Sequence, residues 1–203
     1  MRAFFDIDTQ LDFMVPGGAL YGLGAERLIP AVAKLNHYAA DHRITLISTT
    51  DAHPENADEF RIWPPHCVAG TFGQRKPAGT LLDLRETLPW YPAFNLSNFD
   101  VFLPNQFIVE KNDLDMFTNP HLPTLLKELG VTECFVYGIF VDYCVKCALT
   151  GLLGSGRRVS LVTDASEAIS SEAGDAVIRE FTAAGGQLVT SEGLRELLSH
   201  ETQ

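Results

Sequence analysis

One stretch of this sequence combines residue types that bind metal ions. Residues 48–71 read STTDAHPENADEFRIWPPHCVAGT and contain Asp51, His53 and His66. In an extended segment, residues two positions apart point to the same side, so Asp51 and His53 could contact one ion. His66 follows two prolines, which restrict the backbone that brings it back. Histidine and carboxylate ligands suit iron, zinc or manganese, whereas thiolates dominate many structural zinc sites.

A fourth protein ligand for this ion would come from Glu55, Asp58 or Glu59. Cys67 adjoins His66 in the chain and would point elsewhere, so we do not count it as a ligand. The simpler hypothesis is a solvated loop with ordinary helix caps and turns. The spacing of these residues alone does not decide between a metal site and such a loop.

A candidate nucleophile lies in the stretch YGIFVDYCVKCAL, which places Cys144 near the first turn of a predicted helix. Unpaired amide groups at a helix start favour a thiolate. Lowering a thiol pKa by about two units requires roughly 2.7 kcal/mol, and a helix end supplies only ~0.3–1 kcal/mol. A nearby lysine would have to supply most of the remainder. The simpler hypothesis is a buried structural cysteine.

Cys144 and Cys147 also form a C-x-x-C pair, a pattern found in thioredoxin-like redox proteins. An oxidoreductase that uses this pair is therefore an alternative hypothesis. Cys147 lies one turn further along the predicted helix, and we expect it to pack inward. The redox hypothesis predicts that Cys147→Ser abolishes function, whereas a cysteine hydrolase predicts little effect.

The predicted elements explain how such residues could meet. Short apolar runs rich in β-branched residues alternate with amphipathic stretches, a pattern typical of right-handed βαβ units. The sequence therefore predicts an α/β fold with a doubly wound, mostly parallel six-stranded sheet and helices on both faces, in a single domain over residues 1–203. The six predicted strands have the sequences RAFFDI, ITLIST, NQFIVEK, ECFVYGI, RVSLVTDA and GQLVTS.

The ends of these strands carry reactive residues. Ligands of a parallel α/β sheet bind outside the carboxyl ends of its strands. Asp8 and Lys111 end two of the strands, Cys144 follows a third, and the candidate metal ligands follow a fourth. Asp8 could then take a proton from the thiol and pair with Lys111. Asp6 and Asp12 are alternatives to Asp8, and a lysine that ends an apolar strand is often only a surface residue.

Residues 71–105 interrupt the alternation of strands and helices. They contain several prolines and the aromatic pair Trp90–Tyr91, and no clear helix or strand is predicted among them. Long segments without helices or strands in compact domains are often lids or binding loops. A lid is therefore one hypothesis for this segment.

Composition and charge exclude several classes of function. The chain has 203 residues, 46% of them hydrophobic and 20% charged, which suits one folded domain rather than a disordered chain. A net charge of −11 gives no electrostatic reason to bind nucleic acid or an anionic membrane. No apolar run is long enough to span a membrane, and MRAFFDID lacks the features of a signal peptide. We therefore expect a cytoplasmic protein whose four cysteines are reduced thiols.

Three blocks of the sequence resemble one enzyme family. FFDIDTQLDFMVPGGAL, TTDAHPENADEFRIWPPHCVAGT and YGIFVDYCV are similar, in order and approximate spacing, to blocks of the nicotinamidase/pyrazinamidase branch of the isochorismatase-like cysteine hydrolases. The resemblance covers nearly the whole chain and implies that family's Rossmann-like, three-layer fold. WPPHCV with an upstream Asp-x-His separates the metal-binding nicotinamidases from metal-free relatives such as isochorismatase.

The resemblance implies a role for each matching residue. The implied catalytic triad consists of Asp8, Lys111 and Cys144. The ligands of one divalent transition metal (Zn, Fe or Mn) are matched by Asp51, His53 and His66. Family members vary at the fourth ligand, where either histidine or glutamate occurs, and Glu59 is our choice for it.

The resemblance also implies an oxyanion turn and a substrate pocket. GIFVDYC is similar to the family's turn, which carries a non-proline cis peptide, here expected at Ile139–Phe140. The amides of Phe140 and Cys144 would then stabilise the oxyanion of a tetrahedral intermediate. Phe13 and Trp63 match aromatic positions that sandwich a pyridine ring in the family.

Some positions depart from the family's pattern. Phe140 stands where the family has a small residue, Val141 where it has threonine, and Tyr143 where it commonly has histidine. We assign Tyr143 to the substrate pocket. After Lys111, the run NDLDMFTNPHL replaces a segment that usually contains glycine, serine and tyrosine. These changes bear on the identity of the substrate more than on the chemistry.

The implied activity is a metal-dependent amidohydrolase reaction that converts nicotinamide to nicotinate and ammonia through a cysteine thioester. An alternative is a related cysteine hydrolase that acts on another small carboxamide, of maleamate or carbamoyl type. A further alternative is a non-catalytic member of the fold that only binds ligands, in which Cys144 would not react with iodoacetamide at neutral pH. Relatives commonly form dimers or tetramers, so we expect a homo-oligomer.

Overall fold

A parallel sheet forms the centre of the molecule. The computed structural model describes residues 1–91, 96 and 100–200. Its strands are β1 Arg2–Ile7, β2 Thr45–Asp51, β3 Arg85–Leu88, β4 Gln106–Lys111, β5 Glu133–Ile139, β6 Arg158–Glu167 and β7 Gln187–Val189. These seven strands lie in the order β3-β4-β2-β1-β5-β6-β7, and every neighbouring pair is parallel. The predicted α/β class is confirmed.

Helices connect the strands and cover the sheet. They are α1 Leu11–Met14, α2 Ile29–Asp41, α3 Leu122–Glu128, α4 Cys144–Gly154, α5 Ser171–Ala183 and α6 Ser191–His200. Short 3-10 turns lie at Ala25–Leu28, Asp58–Arg61, Ala78–Thr80 and Met116–Thr118. Among the residues that the structure describes, no helix is long and apolar enough to cross a membrane.

The side chains of β1 show how both faces of the sheet are covered. Phe4 packs into a core with residues of α2 and α6, whereas Phe5 and Ile7 pack into a second core with residues of α3, α4 and α5. All three side chains are at most 1% exposed. A strand that is buried on both faces is mostly apolar, which is why RAFFDI and similar runs were recognisable in the sequence. Two cores on opposite faces confirm the predicted helices on both sides.

The predicted number of six strands was wrong, because β3 was missed. This strand has the sequence RETL and pairs with β4 at one edge of the sheet. Only Leu88 of its four residues is buried. An edge strand held by backbone pairing needs no apolar run, so its side chains gave no periodic signal.

The described part of the segment 71–105 is therefore more regular than its sequence predicts. It contains a 3-10 turn and β3, and its start is tied to α1 by backbone bonds from Leu11 to Arg75 (2.8 Å) and from Asp12 to Gly73 (3.0 Å). Residues 92–95 and 97–99 lie outside the described part of the chain. The hypothesis that this segment acts as a lid stays a prediction.

The strand order brings four strand ends together at one edge. β4, β2, β1 and β5 are neighbours, although the chain visits them in the order β1, β2, β4, β5. Asp51 at the end of β2 is opposite Lys111 at the end of β4. Ile7 of β1 is opposite Gly138 of β5. Chain connections leave β1 and β5 in different directions, which creates the crevice where α/β proteins bind ligands.

Candidate active site and metal centre

Three predicted catalytic residues meet in this crevice. Asp8 directly follows β1 with a left-handed φ of 49°, Lys111 ends β4, and Cys144 begins α4. The Lys111 Nζ lies 2.9 Å from the Asp8 Oδ2 and 3.7 Å from the Cys144 Sγ. All three residues are buried, with exposures of 1%, 1% and 7% in chain order. The ammonium of Lys111 thus touches both the acid and the thiol.

The protonation of these groups follows from burial and from their mutual charges. Burial raises the pKa of Asp8 above its ordinary value, although the Lys111 charge opposes this. Burial also raises the pKa of the Cys144 thiol well above its ordinary value, again against Lys111. For Lys111 itself, burial acts to lower the pKa, but the carboxylates of Asp51 and Asp8 outweigh it and raise the pKa.

At neutral pH, Cys144 therefore carries a protonated thiol. We expected a lysine to bring Cys144 close to the thiolate form, and Lys111 lies where that expectation requires. Its effect is smaller than the cost of a buried anion beside two carboxylates. Since Asp8 has a raised pKa and lies beside the same lysine, it is suited to take the thiol proton during attack.

Asp51 connects this triad to the histidines. Its Oδ1 pairs with the Lys111 ammonium, and its Oδ2 lies 3.8 Å from the His53 Nε2. Although burial raises the pKa of Asp51, the charges of Lys111 and His53 hold it at about 2. One buried carboxylate thus contacts both halves of the site.

The candidate metal ligands converge on one point. Ligand atoms of Asp51, His53 and His66 all lie within 4.8 Å of one another. The Glu59 carboxylate faces both histidines, with its oxygens 3.5 Å from the His53 Nε2 and 3.7 Å from the His66 Nε2. The His66 Nδ1 is 2.8 Å from the Pro64 carbonyl oxygen, an outer hydrogen bond typical of ligating histidines.

Buried polar atoms in this cluster fit a bound cation. In the described part of the chain, neither ring nitrogen of His53 has a hydrogen-bond partner, and the residue is fully buried. Leaving a buried polar atom unpaired costs about 1–3 kcal/mol. Two imidazoles and two carboxylates suit a divalent transition metal. This donor set therefore fits one ion of that class.

The other acids in the loop do not face the histidines. Asp58 pairs with Arg61 at 2.9 Å, and both side chains are largely exposed. Glu55 is also exposed. Among the three fourth-ligand candidates, the geometry therefore favours Glu59.

The loop that carries these ligands is fixed to the rest of the site by Asp12. The Asp12 Oδ2 accepts a 2.7 Å hydrogen bond from the Cys67 amide, next to His66. The His53 amide donates to the Cys67 carbonyl at 3.2 Å, which joins the two arms of the loop. Cys67 itself is buried in the core around α2, as expected for a residue that is not a ligand.

The two alternatives to Asp8 have structural partners elsewhere. Asp12 anchors the metal loop, and Asp6 is buried in a polar network away from the thiol. The Asp6 Oδ2 lies 3.2 Å from the Lys76 Nζ and accepts a 3.0 Å hydrogen bond from Asn36. Neither acid contacts Cys144. Of the three acids, Asp8 is therefore the one that lies beside Lys111 and the Cys144 thiol.

Thr49 and Gln10 hold Asp8 and Asp51 in place. Both are buried, and sequence reasoning assigned neither of them to the site. The Thr49 hydroxyl donates to the Asp8 Oδ1 at 2.6 Å and accepts from the Asp8 amide at 3.1 Å. The Gln10 side chain accepts from the Asp51 amide at 2.7 Å and donates to the Asp51 carbonyl at 2.9 Å. Thr49 lies within the buried strand β2 beside other threonines and carries no separate signal. In contrast, the polar Gln10 directly after a buried strand could have been noticed.

The turn before α4 has the expected backbone. The peptide Ile139–Phe140 is cis, which confirms that expectation. The amides of Val141, Tyr143 and Val145 donate to other carbonyls of the structure. Within the described residues, the amides of Phe140 and Cys144 have no acceptor. These two N–H groups are thus free to bind an acceptor in the turn that leads to Cys144.

The hypothesis of redox chemistry at the C-x-x-C pair has less structural support than the cysteine hydrolase hypothesis. Cys144 and Cys147 are both free thiols. Cys147 is partly exposed and does not pack fully inward, contrary to our expectation. Its amide donates to the Tyr143 carbonyl as part of the helix start.

Aromatic side chains line a small cavity next to the thiol. The three predicted substrate-binding residues Phe13, Trp63 and Tyr143 all border it, together with Cys144. Trp63 and Tyr143 meet edge to face with 5.7 Å between ring centroids. Sequence reasoning missed the aliphatic part of the lining, which is made by Leu20, Leu114 and Ile169.

Part of the chain matches a known protein family. A family model described as the isochorismatase domain matches residues 97–193. This match covers just under half of the chain. It agrees with the resemblance found in the sequence blocks and with the parallel sheet.

Nicotinamidases are among the proteins that this chain is similar to. The chain is 27% identical over 201 residues to the nicotinamidase/pyrazinamidase of Mycobacterium tuberculosis, covering 94% of this chain and 100% of that protein. The crystal structure of the pyrazinamidase of Pyrococcus horikoshii in complex with zinc superposes with a TM-score of 0.77 at 27% identity, covering 93% and 98% of the two chains. The structure of PnC1 from L. infantum in complex with nicotinate gives a TM-score of 0.75 at 25% identity, covering 95% and 93%.

The geometry and these relatives are consistent with hydrolysis of an amide C–N bond. A thiol, an adjacent acid and two free amides are the parts needed for acyl transfer through a covalent intermediate. The His and Asp cluster lies next to them, joined through Asp51.

Proposed function

We infer that this hydrolase is a metal-dependent nicotinamidase that converts nicotinamide to nicotinate and ammonia through a thioester on Cys144. The observation that carries this proposal is the position of Lys111, which contacts Asp8, Cys144 and Asp51 at once. In that arrangement Cys144 would be the nucleophile and Asp8 its base, and the candidate metal centre would lie beside the same cation. The nicotinamidase and pyrazinamidase relatives support the choice of substrate.

Acylation begins with proton transfer from the thiol. Asp8 takes the proton as the Cys144 Sγ attacks the amide carbonyl carbon and a C–S bond forms. The C–N bond then breaks, and Asp8 returns the proton to the departing nitrogen, which leaves as ammonia. Lys111 stays charged throughout and holds the acid and the sulfur in register.

The negative charge on the tetrahedral oxygen rests on two backbone amides. The N–H groups of Phe140 and Cys144 lack acceptors in the described chain. Donors that are fixed before the reaction stabilise a developing oxyanion without reorganisation, and one such donor is worth about 10²–10³ in rate.

Hydrolysis of the thioester completes the cycle. Asp8 takes a proton from a water molecule, whose oxygen attacks the acyl carbon. The C–S bond breaks, the proton returns to the Cys144 sulfur, and the carboxylic acid leaves. The net reaction consumes one amide and one water and yields one acid and one ammonia.

The metal centre would be held by Asp51, His53, His66 and Glu59. Such an ion supplies a Lewis acid that can bind a pyridine nitrogen or polarise water. The rings of Phe13, Trp63 and Tyr143 border the space between this cluster and the thiol. They would contact the substrate ring and exclude water from it.

Ammonia release from nicotinamide tests this proposal. The wild-type protein is compared with Cys144→Ala, each after chelation and after addition of Zn, Fe or Mn. We expect release that depends on the metal and is lost in Cys144→Ala. Full activity in Cys144→Ala, or activity unaffected by removal of all metal, would contradict the proposal.

A second candidate function is hydrolysis of another small carboxamide by the same triad. The observation that favours it is the size of the cavity at Cys144, which is about 30 Å³. A cavity of about 150 Å³ holds a benzene ring. A panel that includes maleamate and carbamoyl compounds beside nicotinamide separates the two: the second candidate predicts the higher kcat/KM for an aliphatic amide.

A further inference from the structure

The cavity beside Cys144 is smaller than an aromatic substrate. About 30 Å³ holds roughly two water molecules, and a six-membered ring needs several times that volume. An aromatic amide can therefore enter only if part of the lining moves. Which part can move decides what shape of substrate the site accepts.

The inner wall of the cavity is fixed around Phe140. Its ring meets Phe13 edge to face at 5.9 Å between centroids, and the two residues are only 6% and 5% exposed. The Phe140 ring also fills the space that a side chain at position 22 would occupy. A Cβ added to Gly22 would lie 2.7 Å from the Phe140 Cζ. The Phe140 carbonyl is also held by the Tyr143 and Val145 amides, at 3.0 and 3.1 Å.

The outer wall has more freedom. Leu114 is 36% exposed and Ile169 is 51% exposed. Trp63 and Tyr143 are both partly exposed, and their rings meet edge to face. Exposed side chains change rotamer at little cost, whereas a ring locked between buried neighbours does not. Space for a substrate is therefore gained at the mouth and not at the inner wall.

We propose that Phe140 is the specificity-determining residue of the acyl pocket, and that it restricts this hydrolase to compact carboxamides by closing the pocket on its inner side. A single six-membered ring fits once the mouth opens. A fused or ring-substituted aromatic carboxamide would collide with Phe140. This inference rests on the proposed amidase function for its catalytic readout, but the size limit also applies to binding alone.

The test compares two substrates that differ by one fused ring. The kcat/KM ratio of nicotinamide to quinoline-3-carboxamide is measured for wild type and Phe140→Ala. We expect a ratio of at least about 100 in wild type, and a fall of at least about tenfold in Phe140→Ala, because a pocket wall discriminates sharply against added carbon atoms. A ratio near one in wild type, or an unchanged ratio in Phe140→Ala, would overturn the proposal.

Phe181→Ala is the matched control. Phe181 is another phenylalanine at 5% exposure, on α5 and away from the cavity, so its truncation disturbs a core without touching the pocket. Its substrate ratio should equal that of wild type. If Phe140→Ala does not fold, Phe140→Leu makes a smaller change in the same direction, and the same ratio is measured.

Binding of the product acids separates this inference from the proposed function. Nicotinate and quinoline-3-carboxylate are titrated into the same variants by calorimetry. If neither amide is hydrolysed but wild type binds only the smaller acid and Phe140→Ala binds both, the nicotinamidase proposal fails and the size limit stands. If nicotinamide is hydrolysed and no size selection is found in either assay, the size limit fails and the nicotinamidase proposal stands. No size selection in binding and no hydrolysis would overturn both.

Discussion

At the scale of single residues, the site is organised by the contacts of Asp8 and Asp51. Both oxygens of Asp8 have a defined neighbour, Thr49 on one side and Lys111 on the other. The Asp51 Oδ1 pairs with Lys111, and the Asp51 Oδ2 faces His53. The types of these charged residues and their positions at strand ends were visible in the sequence. The contact from Thr49 was not, because a threonine within a buried strand is unremarkable there.

Removal of the Thr49 hydroxyl should impair the base without disturbing the fold. In Thr49→Val the Asp8 Oδ1 loses its 2.6 Å donor. A hydrogen bond to a charged group is worth about 1.5–3 kcal/mol, so we expect kcat/KM to fall roughly 10- to 100-fold. Thr49→Ser keeps the donor and should retain most of the activity. Equal activity of the Val and Ser variants would contradict this role.

The same variant should change the pH dependence of the reaction. The bond from Thr49 lowers the pKa of Asp8, so its removal raises that pKa further. A base must be deprotonated to act, so the acidic limb of the kcat/KM profile should move to higher pH in Thr49→Val. A profile that stays in place while activity falls would assign Thr49 a purely structural role.

At the scale of elements, short irregular segments carry more of the site than the regular helices do. The loop between β2 and β3 supplies three candidate metal ligands, and α1 holds it through Asp12. Regular elements were predictable because burial on both faces makes their sequences apolar. The edge strand β3 was not predictable, since only Leu88 of its four residues is buried. The choice of Glu59 over Glu55 and Asp58 likewise depends on loop conformation, which spacing alone does not determine.

Loss of the Asp12 anchor should weaken the metal centre. Asp12→Ala frees the Cys67 amide beside His66. Outer residues that orient metal ligands typically contribute 10- to 100-fold in affinity, and we expect a loss of that order. Competition with a chromophoric chelator measures the affinity directly. Asp58 is an exposed acid of the same loop, so Asp58→Ala serves as the control and should bind metal as wild type does. An unchanged metal affinity in Asp12→Ala would contradict the anchoring role.

At the scale of the whole molecule, two apolar cores surround a buried ionic centre. Phe4 and Phe5 lie on opposite faces of the sheet, and the charges of Asp8, Asp51 and Lys111 lie at its edge with at most 3% exposure. The overall architecture followed from hydrophobic patterning along the chain. The expected homo-oligomer has no counterpart in a single chain and stays a prediction.

The ionic centre should make the metal-free protein sensitive to acid. The folded pKa of Asp51 is about 2, below the ordinary value of 3.8, so it stabilises the fold above pH 3.8 and this contribution is lost as the pH falls through about 2. The difference corresponds to about 2 kcal/mol. Asp8 acts in the opposite direction. Its pKa is raised in the folded protein, so protonation at low pH removes the cost of burying its negative charge.

Urea unfolding of chelator-treated protein checks this prediction. The free energy of unfolding of wild type should fall between neutral pH and pH ~2 by about 2 kcal/mol more than that of Asp51→Asn, which cannot titrate there. Asp58→Asn, whose carboxyl is exposed, should behave as wild type. Identical acid sensitivity of wild type and Asp51→Asn would show that Asp51 is not held ionised by Lys111 and His53.

The central claim is that Cys144, with Asp8 as its base and Lys111 between them, forms a thioester with nicotinamide. The measurement that tests it most directly is the mass of the protein quenched in acid during turnover, followed by peptide mapping. The account predicts a nicotinoyl group on the peptide that contains Cys144, absent in Cys144→Ala. Ammonia release from nicotinamide by the wild-type protein without that adduct, and undiminished in Cys144→Ala, would contradict it.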